Sequence, residues 1–170
     1  EVLYMKKLKM ISLLLFLWLP ISVWALEYPT LHYDKAIVYD LTDDKVLYEL
    51  KDKEKAHVAS LTKILTTITA IESIDNLDDM VTYTENMKSL VRWDASVAGL
   101  SVGDKVSYRD LLYASILPSG ADATTALAIS TSGSISNFVK KMNEEASKIG
   151  MINSHFVNVT GLDDDDHYST

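Results

Sequence analysis

The side chains best suited to chemistry lie in Ala59-Ser-Leu-Thr-Lys63. A serine hydroxyl is a weak nucleophile until a base takes its proton. Ser60 and Lys63 are three positions apart, so on a helix they share one face, a turn from each other. A lysine amine serves as that base once burial and neighbours lower its pKa toward neutrality. A helix N-terminus at Ser60 adds partial positive charge and N–H groups where an oxyanion would form. The same residues also suit a plain helix start, with Ser as N-cap and Lys on the surface. A second serine strengthens the chemical reading. Pro118-Ser-Gly-Ala-Asp122 places Ser119 in a tight loop between two predicted helices, where its hydroxyl could pass a proton between Lys63 and a leaving amine. Alone, that loop reads as a cap after a Pro-Gly break.

Other patterns carry less. Gly99-Leu-Ser-Val-Gly103 matches the G-x-S-x-G elbow, which needs a strand entering the serine and a helix leaving it at once. Here Asp104-Lys-Val-Ser107 follows instead, and the context fails. His32, His57, His155 and His167 show no metal-ligand spacing, and most of them read as surface or loop residues, with His57 close enough to Ser60 to watch. Asp163 to Asp166 reads as a solvated turn, since it does not match a calcium loop. Asn158-Val-Thr160 matches a glycosylation sequon, read here as a chance match.

Several elements must position the serines and the lysine. Lys35–Leu41 and Val46–Leu50 are β-type runs around a polar turn, a hairpin. Leu61, Ile64, Leu65, Ile68 and Ile71 have the three-and-four spacing of an amphipathic helix. Val81–Thr84 and Lys105–Ser107 are short strand candidates. Ser107-Tyr-Arg-Asp110 looks like a capping box that opens a helix running to Ile116. An Ala-rich helix follows from about Asp122 to Ser130. Another covers Ser136 to Ile149, with Phe138, Val139, Met142, Ala146 and Ile149 on one face and Gly150 as its terminating glycine. The result is a mixed α/β domain with its helices clustered together.

Composition narrows the function further. The 170 residues include 16 basic and 24 acidic side chains, a net charge of −8, which disfavours a nucleic-acid partner. No cysteine is present, which removes disulfides, thiolate-bound metals and a thiol nucleophile. Met5, Lys6, Lys7 and Lys9 precede an apolar run from Met10 to Trp24, and Val23-Trp-Ala25 offers a small-residue exit. That is the pattern of an export signal, and Pro20 interrupts a run already short for a membrane span. Residues 1–25 are therefore expected to be upstream residues plus a signal peptide cleaved near Ala25, with Glu1–Tyr4 ahead of the natural start. Without Lys6, Lys7, Lys9 and Glu1, residues 26–170 hold 13 basic and 23 acidic groups, a net charge of −10. An exported chain without cysteine suits a bacterial extracytoplasmic location.

Ala59-Ser-Leu-Thr-Lys-Ile-Leu-Thr66 resembles the nucleophile segment of the serine D-alanyl-D-alanine carboxypeptidases, the low-molecular-mass penicillin-binding proteins. Asp110–Ala123 resembles that family's second-serine loop. Phe138–Asn143, Ile149–Met151, His155–Asn158, Gly161–Asp163 and His167–Thr170 follow in the family's order, so the likeness spans residues 33–170. It implies the penicillin-binding/β-lactamase-like transpeptidase fold, a central antiparallel sheet plus a helical cluster. It implies Ser60 as acylated nucleophile, Lys63 as general base, Ser119 as proton relay, and Gly120 and Ala121 at the substrate. The Ser60 N–H would be half of the oxyanion hole. The implied substrate is a peptidoglycan stem peptide ending in D-Ala-D-Ala, with β-lactams as covalent inhibitors and no cofactor or metal. Membrane attachment through a later C-terminal segment fits the same resemblance.

Two departures stand out. Ala121 occupies a position that is usually Asn in the family, where an amide would bond both the lysine and the substrate. A K-T-G motif is absent up to Thr170, so residues 26–170 are expected to be an incomplete catalytic domain with little activity of its own. Alternative readings are a non-catalytic cell-wall-binding pseudoenzyme and a serine β-lactamase or esterase of the same fold.

Overall fold

The computed structural model describes residues 32–170, of which Asp34–Thr170 form one compact unit. The expected export signal lies outside the described residues. The chain enters through an antiparallel hairpin, β1 (Ala36–Asp40) and β2 (Lys45–Leu50), with a bulge between Val38 and Tyr39. Its turn is stabilised by Asp40, whose Oδ1 accepts the N–H of Thr42 at 2.8 Å and of Asp43 at 3.2 Å. Asp44 supplies the left-handed residue, a role to which its short polar side chain is suited. The second sheet pairs β3 (Met80–Thr82) antiparallel with β4 (Lys105–Ser107). Strand β4 has its expected bounds, and β3 overlaps the expected Val81–Thr84 but starts one residue earlier and ends at Thr82.

Five α-helices and one 3-10 turn, Ala59–Leu61, form the rest of the regular structure among the described residues. The α-helices are α1 (Thr62–Ile71), α2 (Glu85–Ser89), α3 (Tyr108–Ile116), α4 (Ala121–Ser132) and α5 (Ile135–Lys148). Ser107 caps α3 by accepting the Asp110 N–H at 3.1 Å. The Asp110 carboxylate bonds the Ser107 hydroxyl at 2.7 Å, so only the first half of the expected capping box forms. The central helix is α4, buried from Ala121 through Ala128. Small side chains there let α3, α5 and α1 approach closely. Ser134 caps α5 through the Asn137 N–H, and Gly150, at φ +90°, ends it. The N–H of Met151 reaches the Ala146 carbonyl at 2.8 Å and that of Gly150 the Ser147 carbonyl at 3.2 Å, a complete Schellman motif. Phe138, Met142 and Ala146 line the buried face of α5 as expected, but Ile149 is exposed, because it sits beyond the last turn where the chain veers off.

The apolar stripe of α1 does not define its packed face. Only Leu65 is buried, whereas Leu61, Ile64, Ile68 and Ile71 are exposed. The side turned into the helical cluster carries Thr62, Lys63, Thr66, Thr69 and Ala70 instead. Two of those threonines, and the half-buried Thr67, bond to other segments. Thr66 donates to the Val159 carbonyl at 3.0 Å, Thr67 pairs with Ser115 of α3 at 3.0 Å, and Thr62 pairs with His167 at 2.8 Å. Irregular chain from Met151 to Thr170 closes over this side, tied by bridges His155–Tyr168 and Ala56–Ser169.

Candidate active site

Ser60 lies in a short 3-10 turn, Ala59–Leu61, that runs straight into α1. Its neighbour Ala59 has φ +45°, a left-handed conformation that costs an alanine energy. The turn is braced from the other end of the domain. Gly161 packs so tightly below it that a Cβ there would lie 1.8 Å from the Ala59 carbonyl oxygen. Lys63, in the first turn of α1, is only 4% exposed. Its Nζ lies 3.2 Å from Ser60 Oγ and 2.7 Å from the Thr160 carbonyl oxygen. Burial lowers the Lys63 pKa below that of an ordinary lysine, which favours the neutral amine a base requires. A buried amine within hydrogen-bond reach of a serine hydroxyl is the arrangement that makes a nucleophile.

The second loop is built with comparable strictness. Ser119 has φ +59°, and its Oγ is buried with no hydrogen-bond partner among the described residues. The loop is therefore in place, but no Lys63–Ser119 bond is closed. Gly120 accommodates the turn, since a Cβ would lie 2.6 Å from the Ala114 carbonyl and 2.9 Å from Ala98. Both Gly120 and Ala121 are buried, and the Ala121 N–H donates to the Ser96 carbonyl at 2.8 Å. Asp122 then clamps the neighbouring segment. Its carboxylate, 3% exposed, accepts the N–H groups of Ala98, Gly99 and Leu100 at 2.8–2.9 Å. Three charge-assisted bonds to one carboxylate hold residues 98–100 against the start of α4.

Sequence reasoning missed Asp122, Thr160 and His167. Nothing in the sequence marks an acid in a first helical turn as buried, and Thr160 acts through a carbonyl that every residue carries. His167 lies in irregular chain, as expected of a loop residue, but is only 1% exposed. Val157 donates its N–H to His167 Nδ1 at 3.2 Å, which leaves the proton on Nε2 to bond Thr62 at 2.8 Å. The ring meets Phe156 edge-on, with centroids 5.4 Å apart. His57 is exposed, and the basic group within hydrogen-bond distance of Ser60 Oγ is Lys63. Ser101 of the G-x-S-x-G pattern precedes strand β4, not a helix, as its context indicated. Asp163–Asp166 is exposed, with Asp164 accepting the Asp166 N–H at 3.0 Å as in a turn.

A sequence profile described as D-alanyl-D-alanine carboxypeptidase, peptidase S11, matches residues 23–170. D-alanyl-D-alanine carboxypeptidase DacF of Bacillus subtilis is 34% identical over 139 residues, covering 79% of this chain and 35% of that protein. DacC of Escherichia coli is 36% identical over 169 residues, covering 94% of this chain and 42% of that protein. Among solved structures, penicillin binding protein 5 of Haemophilus influenzae superposes with a TM-score of 0.77 at 31% identity, over 86% of this chain and 44% of that one. The chain thus spans less than half the length of the relatives it matches.

Proposed function

Because this chain belongs to the D-alanyl-D-alanine carboxypeptidase family, the low-molecular-mass penicillin-binding proteins, we propose that the protein removes the terminal D-alanine from peptidoglycan stem peptides through an ester on Ser60. The observation that carries this reading is the buried Lys63 amine 3.2 Å from Ser60 Oγ. Lys63 takes the hydroxyl proton as Oγ bonds to the carbonyl carbon of the penultimate D-alanine. The C–N bond then breaks, and the departing nitrogen receives the proton through Ser119, whose unpaired Oγ is available for it. Water hydrolyses the ester and frees Ser60. The Ser60 N–H contributes to the oxyanion hole, and a β-lactam ring opens onto the same oxygen. Gly120 and Ala121 shape the loop beside the substrate. The basic and apolar run from Met5 to Ala25 serves as an export signal, and residues 26–170 belong to the extracytoplasmic catalytic domain. Among the described residues no helix is long and apolar enough to cross a membrane.

One observation favours a second reading. Ala121 offers no amide to lysine or substrate, which suits a cell-wall-binding role without turnover. Labelling with a fluorescent penicillin separates the two. The intact protein should take the label and Ser60→Ala should not. Equal labelling of both removes Ser60 as nucleophile, and a folded protein that takes no label favours the binding role.

A further inference from the structure

Asn158 opens the loop that carries the Thr160 carbonyl. Its side-chain Oδ1 accepts three hydrogen bonds, from the Thr160 N–H at 3.1 Å, the Gly161 N–H at 2.7 Å and the Thr160 hydroxyl at 3.2 Å. Its Nδ2 donates to the Leu162 carbonyl at 2.8 Å. One carboxamide thus fixes every residue from 160 to 162. Just before it, the Val159 carbonyl is held by Thr66 of α1 at 3.0 Å. The loop cannot slide, and the Thr160 oxygen stands 2.7 Å from Lys63 Nζ. The N-x-T pattern seen in the sequence accordingly has a local structural reason: the threonine hydroxyl bonds the asparagine, and the amide is occupied.

Among the described residues Lys63 Nζ has two bonded partners, Ser60 Oγ and this carbonyl. Ala121, at the head of α4, has no side-chain acceptor to offer. We propose that Asn158 is a positioning residue for Lys63, holding the Thr160 carbonyl where it orients the amine toward Ser60. A neutral amine has two N–H donors and one lone pair, and a carbonyl oxygen only accepts. The carbonyl therefore engages an N–H and turns the lone pair toward the hydroxyl of Ser60. The same oxygen also favours the protonated amine, which opposes the effect of burial and preserves basicity. This inference rests on the reading of Ser60 and Lys63 as nucleophile and base.

The test is the second-order rate of acylation by a fluorescent penicillin, measured against pH on the intact protein and on Asn158→Ala, Asn158→Asp and Ser60→Ala. Thermal melts by circular dichroism establish folding. Asn158→Ala should acylate about ten- to a hundredfold more slowly, the loss expected when a buried donor is left without its partner. The acid limb of its rate profile should move to lower pH, because burial of Lys63 is then less opposed. Asn158→Asp can keep the three acceptor bonds while adding negative charge near the amine, so its limb should move to higher pH. Folded variants with an unmoved limb, whether at full rate or uniformly slowed, overturn the proposal. If Asn158→Ala does not fold, the limb of Asn158→Asp decides by the same criterion. Labelling of Ser60→Ala at the wild-type rate, or no labelling of the wild type, overturns the underlying reading together with the proposal. A silent Ser60→Ala beside unmoved limbs overturns the proposal alone.

Discussion

Exchange of Lys63 for arginine keeps a cation at the head of α1 but removes its ability to become neutral, since a guanidinium does not deprotonate in proteins. Penicillin acylation of Lys63→Arg should fall by about a hundredfold or more, the contribution typical of a general base. In the wild type, acylation should rise with pH through a point below the usual lysine value, because burial favours the free amine. An acid limb at or above that value would show that Lys63 is not the base. Gly161 is the other residue with a sharp expectation. A methyl at this position would lie 1.8 Å from the Ala59 carbonyl, and main chain does not yield as a flexible side chain does. Gly161→Ala should lower the melting temperature and slow acylation together, because the displaced turn contains Ser60. The Ser-x-x-Lys pair stood out by type and spacing, but that spacing equally suited a plain helix start until the second serine loop and the ordered motifs were added. The brace beneath it did not stand out, since a glycine opposing a distant carbonyl leaves no local pattern.

At the scale of the element, α1 buries hydroxyl groups and exposes much of its aliphatic stripe. Thr66→Val keeps the shape but leaves the buried Val159 carbonyl without its donor, and should cost about 1–3 kcal/mol in urea unfolding. The contact of Thr62 with His167 adds a pH dependence. Burial, the largest cause, holds the His167 pKa below its ordinary 6.5, with His155 and His57 adding to the shift and Asp164 and Asp163 opposing it. The folded chain then binds fewer protons than the unfolded one, so this contribution is complete above about pH 6.5 and declines below it toward the folded-state pKa. His167→Gln should flatten that part of the stability profile, and an unchanged slope would remove His167 as its source. The hairpin, β4 and the limits of α1, α3, α4 and α5 were readable because β-type runs around a polar turn, N-caps and a terminating glycine are local signals. The five-residue α2 was not assigned because it is too short to show a helical period. The inward face of α1 was not readable. Thr62 and Thr66 are buried against an imidazole and a carbonyl that lie about a hundred residues downstream, where no local pattern announces them.

Over the whole molecule, exposed aliphatic side chains gather on α1 and on the hairpin, where Ile37, Val38, Val46 and Leu47 are also uncovered. Exposed aliphatic side chains on successive turns of one helix, as at Leu61, Ile64, Ile68 and Ile71, mark an interaction site or an association hazard. A preparation of these 170 residues should enhance the fluorescence of a hydrophobic dye, and Ile64→Gln with Ile68→Gln should reduce that signal with little loss of stability. Undiminished dye binding would place the apolar patch elsewhere. The mixed α/β architecture was legible at this scale because the ordered motifs from Ala59 to Thr170 act as one long signature. The meeting of Gly161 with Ala59 has a further consequence, for how such a chain changes over generations. Most damaged contacts can be repaired by altering the partner side chain, but here the partner is a peptide oxygen common to all twenty residues. No replacement at position 59 makes room for a methyl at 161, so that glycine is a step the lineage cannot retrace by compensation there.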